Sequence, residues 1–257
     1  MWPYSLGSMG SISVVIPTRN DADMLASCLA MLKIQTRPAD EIIVVDNSST
    51  DHTAALCDAA GVRRIPVSLP GIAASTAAGF DAAGSDIIAR LDTDSRPPAD
   101  WLQRIEATLE GTGPLSAVSG PAYFYGANRL VCWLGRHLYL GGFFWAVGLL
   151  MGHKPLFGSN FAVRSEVWAR LSGTVIRDNS RVHDDFDISY HLRPDMTVTY
   201  DPLLEVGVSA RPFENLQAMR SRMAMTMETF REEFTAEPPL RRLAERRRWE
   251  REHGRRP

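Results

Sequence analysis

Three short apolar runs, residues 12–16, 41–45 and 87–91, constrain this chain most, because each is followed closely by a helix-like or turn-and-helix segment. Strands that read as near-continuous Val, Ile and Leu are buried on both faces. Alternating them with helices over short connections builds a mostly parallel sheet between helical layers, an α/β fold. Residues 21–33 set Leu25, Leu29 and Leu32 on one helical face. The Ser/Thr/Asp cluster at 48–51 is a start signal for a helix over about 53–60. Residues 62–65 read as a third, shorter strand, and 71–83 as a small-residue stretch compatible with helix. Pro97 and Pro98 predict the opening of a helix to about residue 109, since proline is tolerated in a first turn. Further on, 115–119 and 160–163 read as strands and 184–192 as a helix. A return pair of strands is expected at 196–200 and 204–208, then Met- and Arg-rich helix over 214–234. No repeat or low-complexity linker interrupts the chain.

With 257 residues, 45% hydrophobic and 23% charged, one domain over residues 11–235 is the simplest organisation. Within it, two halves are expected, at about 11–120 and about 121–235. Residues 1–10 read as a flexible leader without a signal peptide. Cys28, Cys57 and Cys132 form no C-x-x-C pair, which favours buried thiols in a reducing compartment, hence the cytoplasm. The net charge of −2 conceals a polarity: eight Arg against three Glu after residue 239 give +5, leaving −7 for the rest. Residues 236–257 are thus an Arg-rich tail, either a solvated helix face or a patch drawn to anionic lipid. An acidic body without a nucleic-acid motif argues against nucleic acid as a partner.

The chemistry concentrates where strands end. Residues 87–91 run into Asp92 and Asp94, and ligands of open α/β sheets bind outside the carboxyl ends of strands. Hard oxygen donors at this spacing suit Mg²⁺ or Mn²⁺ with a phosphate-bearing substrate. The first strand is followed by Pro17, Thr18, Arg19 and Asn20, with neither the glycines of a dinucleotide site nor a Walker loop. The second ends in Asp46, Asn47 and Ser48, where an aspartate can hydrogen-bond a ribose or base edge.

Five segments in order resemble the family 2 glycosyltransferases with the GT-A fold. They are Val-Val-Ile-Pro-Thr-Arg-Asn at 14–20, Val-Val-Asp-Asn-Ser-Ser-Thr-Asp at 44–51 and Leu-Asp-Thr-Asp at 91–94. Gly-Ser-Asn-Phe-Ala-Val-Arg at 158–164 and Asp-Asp-Phe-Asp-Ile-Ser at 184–189 complete the set. The resemblance covers roughly residues 11–195. It implies a Rossmann-like nucleotide-binding half joined to an acceptor-binding half, and a metal-dependent inverting transfer from a nucleotide-diphosphate sugar, UDP favoured, to a hydroxyl. On it, Pro17, Thr18, Arg19, Asn20, Asp46, Ser48, Arg90 and Asp92 belong to the donor side. Asp94 holds the metal with Asp92, Ser159, Asn160 and Asp184 face the acceptor, and Asp185 is the general base. Where many members carry Ala-Arg-Asn-x-x-Gly before the metal strand, this chain has Ser75-Thr76-Ala77-Ala78-Gly79. Arg90 either restores part of the missing positive charge or serves a structural ion pair. His183 is a metal-ligand candidate, though a hydrogen-bonded loop residue is the commoner case.

Residues 130–151 contain 14 uninterrupted apolar positions, 138–151, against the ~20 needed to span a bilayer. They suit either a core helix or an interfacial segment, since Trp133, Tyr139, Phe143, Phe144 and Trp145 are aromatics that favour head-group depth. With the Arg-rich tail they suggest a lipid-linked or cell-envelope acceptor at the inner face of the membrane. Gln217-Ala-Met-Arg220-Ser221 lacks the tryptophan of the processive synthases' Gln-x-x-Arg-Trp, which favours single transfer. A sugar-phosphate nucleotidyltransferase and a non-catalytic nucleotide- or membrane-binding module are the competing classes. The first expects a glycine-rich basic loop after the first strand, and the second would leave the carboxylates idle.

Overall fold

A computed structural model describes residues 10–213 and 216–254. The leader expected at 1–10 therefore lies outside them except for Gly10, as do Glu214, Asn215 and residues 255–257. The first half alternates β1 (Ile12–Thr18), α1 (Ala22–Lys33), β2 (Glu41–Asp46), α2 (Thr53–Ala60), β3 (Arg63–Pro66), α3 (Ile72–Ala82) and β4 (Ile87–Arg90). β1 pairs in parallel with both β2 and β4, and β2 with β3. Alternation along β1 decides the layering. Ile12, Val14 and Ile16 join α1 residues Leu25, Leu29 and Leu32 in one core, while Val15 turns to Phe80 and Ala77 of α3 in the other. The small residues of α3 reflect close approach: a Cβ on Gly79 would stand 2.4 Å from a Val15 methyl.

The second half adds α4 (Trp101–Leu109), β5 (Ser116–Ser119), β6 (Ala122–Tyr125), β7 (Phe161–Arg164), α7 (Ser165–Leu171), α8 (Asp184–His191), β8 (Thr197–Tyr200) and β9 (Val206–Ser209). Between β6 and β7 lie α5 (Arg129–Leu134), a π-helical turn at Gly135–Leu140 and α6 (Gly141–Met151). The main sheet runs β3-β2-β1-β4-β7-β5-β8, with β7 antiparallel to both neighbours. β6 and β9 form a separate parallel pair. The order reverses between β1 and β4, which opens a crevice at their carboxyl ends.

Three expectations are corrected. The segments at 196–200 and 204–208 are not a return pair, because β8 joins β5 and β9 joins β6. The turn between them is held instead by Asn160, whose side-chain amide donates to the Leu204 carbonyl. α4 starts at Trp101 rather than at the prolines, because Arg96 exchanges two backbone hydrogen bonds with Gly207 and keeps that stretch extended. β6 went unread, since Ala-Tyr-Phe-Tyr is too short to carry a period. The Arg-rich end is not solvated throughout its described part. Past α9 (Leu216–Ala236), α10 (Pro239–His253) docks with Arg242 buried over the Tyr190 ring at 4.2 Å and donating to the Leu192 carbonyl.

Candidate active site

A cavity of about 460 Å³ opens at the crevice between β1 and β4 and extends under the second half. Pro17, Thr18 and Arg19 line it from β1, Asp92, Thr93 and Asp94 from the end of β4, and Gly158 and Ser159 from the turn before β7. His183, Asp184 and Asp185 enter from the start of α8, and Arg222, Met225 and Thr226 from α9.

Asp92 and Asp94, two residues apart, stand in opposite electrostatic states. Burial works against the ionised form of Asp92, but the Arg90 guanidinium at 2.6 Å outweighs it, helped by the Ser159 hydroxyl, and its carboxyl stays below the usual range. Asp94 has no such partner at close range. Burial and the Asp92 charge push its carboxyl up to about 6, and Arg211 approaches only to 3.5 Å. A half-satisfied pair of half-buried carboxylates with all-oxygen donors fits a hard divalent cation. Thr18 Oγ1 is buried in the lining without a hydrogen-bond partner, which also fits an incoming polar ligand.

Arg90, which also lines the cavity, is a fully buried strand residue bonded to Asp92 and, at 3.0 Å, to Asp184, so its charge balances those carboxylates. Thr76, at the position of the absent arginine–asparagine pair, donates to the same Asp184 oxygen, Oδ2, that Arg90 meets. Asp184 is thus a buried strut. Asp185 differs: it accepts the Gly158 amide at 2.7 Å and its own helix's Phe186 amide at 2.8 Å. Burial, and next the Asp184 charge, raise its proton affinity above that of an ordinary carboxyl. Gly158 is required there, because a Cβ would lie 2.8 Å from Arg90 Nη1 and 3.0 Å from Asp185 Oδ2.

Several expected residues stand outside the lining. Asn160 is wholly buried and does not face an acceptor; it accepts from Trp101 Nε1 and donates to the Pro121 and Leu204 carbonyls. Asp46 is bonded to Arg64 at 3.0 Å and to the Ser49 amide, and the adjacent Asn47 lines the cavity instead. Ser48, at φ 56°, and Asn20, at φ 51°, shape turns: Asn20 accepts the Thr50 amide and ties the end of β1 to that of β2. His183, by contrast, does line the cavity, anchored by its amide to Thr229 and by its ring to the Arg222 carbonyl.

Two functional candidates escaped sequence reading. Arg211 forms a bidentate pair with Asp21 at 3.0 and 2.7 Å and reaches toward Asp94. The pair joins positions 190 residues apart, so no local signal marks it. The apolar end of the cavity is lined by Phe124, Tyr139, Leu140, Phe157 and Phe213, two of them delivered by the π-helical turn. Such turns recur at functional sites. Beyond it, α6 buries Phe144, Val147 and Met151 and exposes Trp145 and Leu149, so the 130–151 segment is core on one face only.

The family model for glycosyl transferase family 2 matches residues 13–167. Over 110 residues the chain is 32% identical to glycosyltransferase AglE of Haloferax volcanii, covering 40% of this chain and 36% of that one. An uncharacterized glycosyltransferase of Mycobacterium tuberculosis is 32% identical over 100 residues, 39% of this chain and 44% of its own. The chain thus spans less than half the length of these curated relatives. Two crystal structures of glucosyl-3-phosphoglycerate synthase from M. tuberculosis share the fold. The complex with Mn²⁺ and UDP-glucose aligns with TM-score 0.61 at 19% identity, over 87% of this chain and 79% of that one. The complex with Mn²⁺, UDP and glucosyl-3-phosphoglycerate gives 0.58 at 19%, over 89% and 86%. The mixed, mostly parallel sheet between helices is the one these GT-A structures have.

Proposed function

This chain belongs to glycosyl transferase family 2, and we propose that it moves one sugar from a nucleotide-diphosphate donor, UDP-linked by preference, to an acceptor hydroxyl with inversion. The observation that carries this is the convergence of Asp92 and Asp94, after β4, and Asp185, at the start of α8, on one cavity from stretches about 90 residues apart. The nucleotide lies along Pro17, Thr18, Arg19 and Asn47, with Asp46 and Asn20 bracing those turns from behind. Asp94, with Asp92, would hold Mg²⁺ or Mn²⁺, which supplies Lewis-acid stabilisation of the negative charge that develops on the leaving diphosphate. The structural relatives crystallised with Mn²⁺ and UDP support that choice. Arg211 turns from Asp94 to the diphosphate once that carboxylate is otherwise engaged, and Arg222 adds positive charge from α9.

Asp185 accepts the proton of the acceptor hydroxyl as it attacks the anomeric carbon. The Gly158 amide holds its carboxylate in one orientation, and Arg90 pairs with Asp92 and Asp184 without closing the site. Direct displacement from the face opposite the leaving group inverts the anomeric centre. The acceptor is an amphiphile, lipid-linked or a cell-envelope precursor, brought to the inner membrane face. The aromatic end of the cavity and the exposed side chains of α5 and α6 support this part.

The test is thermal denaturation with UDP, GDP and TDP, each with and without Mn²⁺, on wild-type protein and Asp94→Ala. We expect one nucleotide to stabilise the wild type only with Mn²⁺, and Asp94→Ala to lose that increment. Identical curves with and without every nucleotide would remove the donor site and the proposal with it.

A further inference from the structure

On the side of α8 away from the cavity, Asp187 and His191 face Glu233 of α9, and the ligand atoms of all three lie within 4.8 Å of one another. His191 Nδ1 is 3.0 Å from Asp187 Oδ1 and 3.9 Å from Glu233 Oε1. Asp187 and Glu233 are 1% and 2% exposed, and His191 is the partly open member. Asp187 Oδ1 and Glu233 Oε1 have no hydrogen-bond partner, although both are buried. The other Asp187 oxygen is satisfied by the Ile176 amide, which fixes the direction of the free one. Leaving such atoms unpaired is costly, and a site that does so is expected to exchange the cost for a ligand.

We propose that Asp187, His191 and Glu233 form a second, structural site for a divalent transition-metal ion, with Zn²⁺ the fitting case. Zn²⁺ binds carboxylate oxygen and imidazole nitrogen at about 2.0–2.2 Å, which places neighbouring donors of a tetrahedron roughly 3.3 Å apart. The two His191 separations bracket that value, so Glu233 needs to approach the ring by less than about 1 Å. One imidazole and two carboxylates make a borderline donor set that suits Zn²⁺ over Mg²⁺. Without the ion, burial and then the Asp187 contact push the Glu233 carboxyl up to about 9, so a proton stands in for the cation. His191 Nδ1 also lies 3.0 Å from the Asp187 main-chain carbonyl, so the ion has to replace that contact and take the ring with its hydrogen on Nε2.

The site ties together the two helices that frame the reaction cavity. α8 carries Asp185 at its start, and α9 carries Arg222 and Met225 over the cavity. Their seam is otherwise aromatic, Phe186 meeting Phe230 edge-on at 4.7 Å. The ion adds a fixed cross-link to that packing, independent of the donor-side cation and of the transfer reaction.

The experiment uses the full chain carrying Asp94→Ala, which removes the donor-side ligand. It is loaded with Zn²⁺, dialysed, and measured for bound metal by atomic emission, with Co²⁺ substitution read as visible absorption. We expect one retained equivalent, the strong bands of low-coordinate Co²⁺, and a higher Tm. Adding His191→Ala or Glu233→Gln should lower retention at least tenfold; the second is isosteric and keeps the fold testable by circular dichroism. No retained equivalent in the Asp94→Ala protein, or equal retention in folded Glu233→Gln, would overturn the site. Both readouts stand whether or not the nucleotide experiment succeeds.

Discussion

Burial raises the proton affinity of Asp185, and the adjacent Asp184 charge adds to it, while His183, Arg90 and the Gly158 amide oppose both. A base must be ionised to act, so transfer should rise with pH as Asp185 loses its proton, with an acid limb above the ordinary carboxylate range. Asp184→Asn removes the like charge and should move that limb of the kcat/KM profile to lower pH. Asp185→Asn should cut kcat by about 10²–10⁴-fold while the nucleotide-dependent thermal shift stays as in wild type. A loss of nucleotide response would instead mean that Asp185 shapes the donor site. Gly158→Ala should cost activity as well, because its new Cβ meets Arg90 and Asp185 together. The carboxylates of this network were legible in sequence because each sits in a local motif at the end or start of an element. Arg211 with Asp21 was not, since only the folded chain brings them together.

At the scale of elements, β1, β2 and β4 could be read because strands buried on both faces leave unbroken apolar runs. The second half resisted for a physical reason. Its strands have four residues each and split between two sheets, so partner choice rests on tertiary contacts such as Asn160. This residue looks like a site residue in the string Gly-Ser-Asn, yet it joins α4, the end of β5 and the turn before β9 through three side-chain hydrogen bonds. Asn160→Ala strands an indole N–H and two carbonyls in the interior. It should lower unfolding free energy by roughly 3 kcal/mol in urea titration. An acceptor-contact role would instead raise KM with stability intact.

For the whole molecule, the question is how an acceptor with a lipid tail would reach the cavity. Among the described residues, no helix is long and apolar enough to cross a membrane. What the fold offers is a ledge beside the aromatic end of the cavity. Leu130, Leu138, Trp145 and Leu149 are each 64–72% exposed, and α10, with Arg247, Arg248 and Arg251 exposed, packs against α6. On the proposed reading, apolar insertion and attraction to anionic lipid would act from neighbouring elements, the second at about 1 kcal/mol per basic residue near the surface. The two contributions separate experimentally. Trp145→Ser with Leu149→Ser should reduce co-sedimentation with phosphatidylglycerol vesicles several-fold and leave the nucleotide thermal shift unchanged, since neither residue lines the cavity. Arg247→Glu with Arg251→Glu should weaken the salt-sensitive part, because surface charges are screened within about 8 Å at physiological ionic strength. Binding that survives both pairs of changes would mean that this ledge does not meet the bilayer. The acceptor would then have to arrive as a soluble molecule, and the aromatic lining of the cavity would be its recognition surface instead of a passage for a lipid chain.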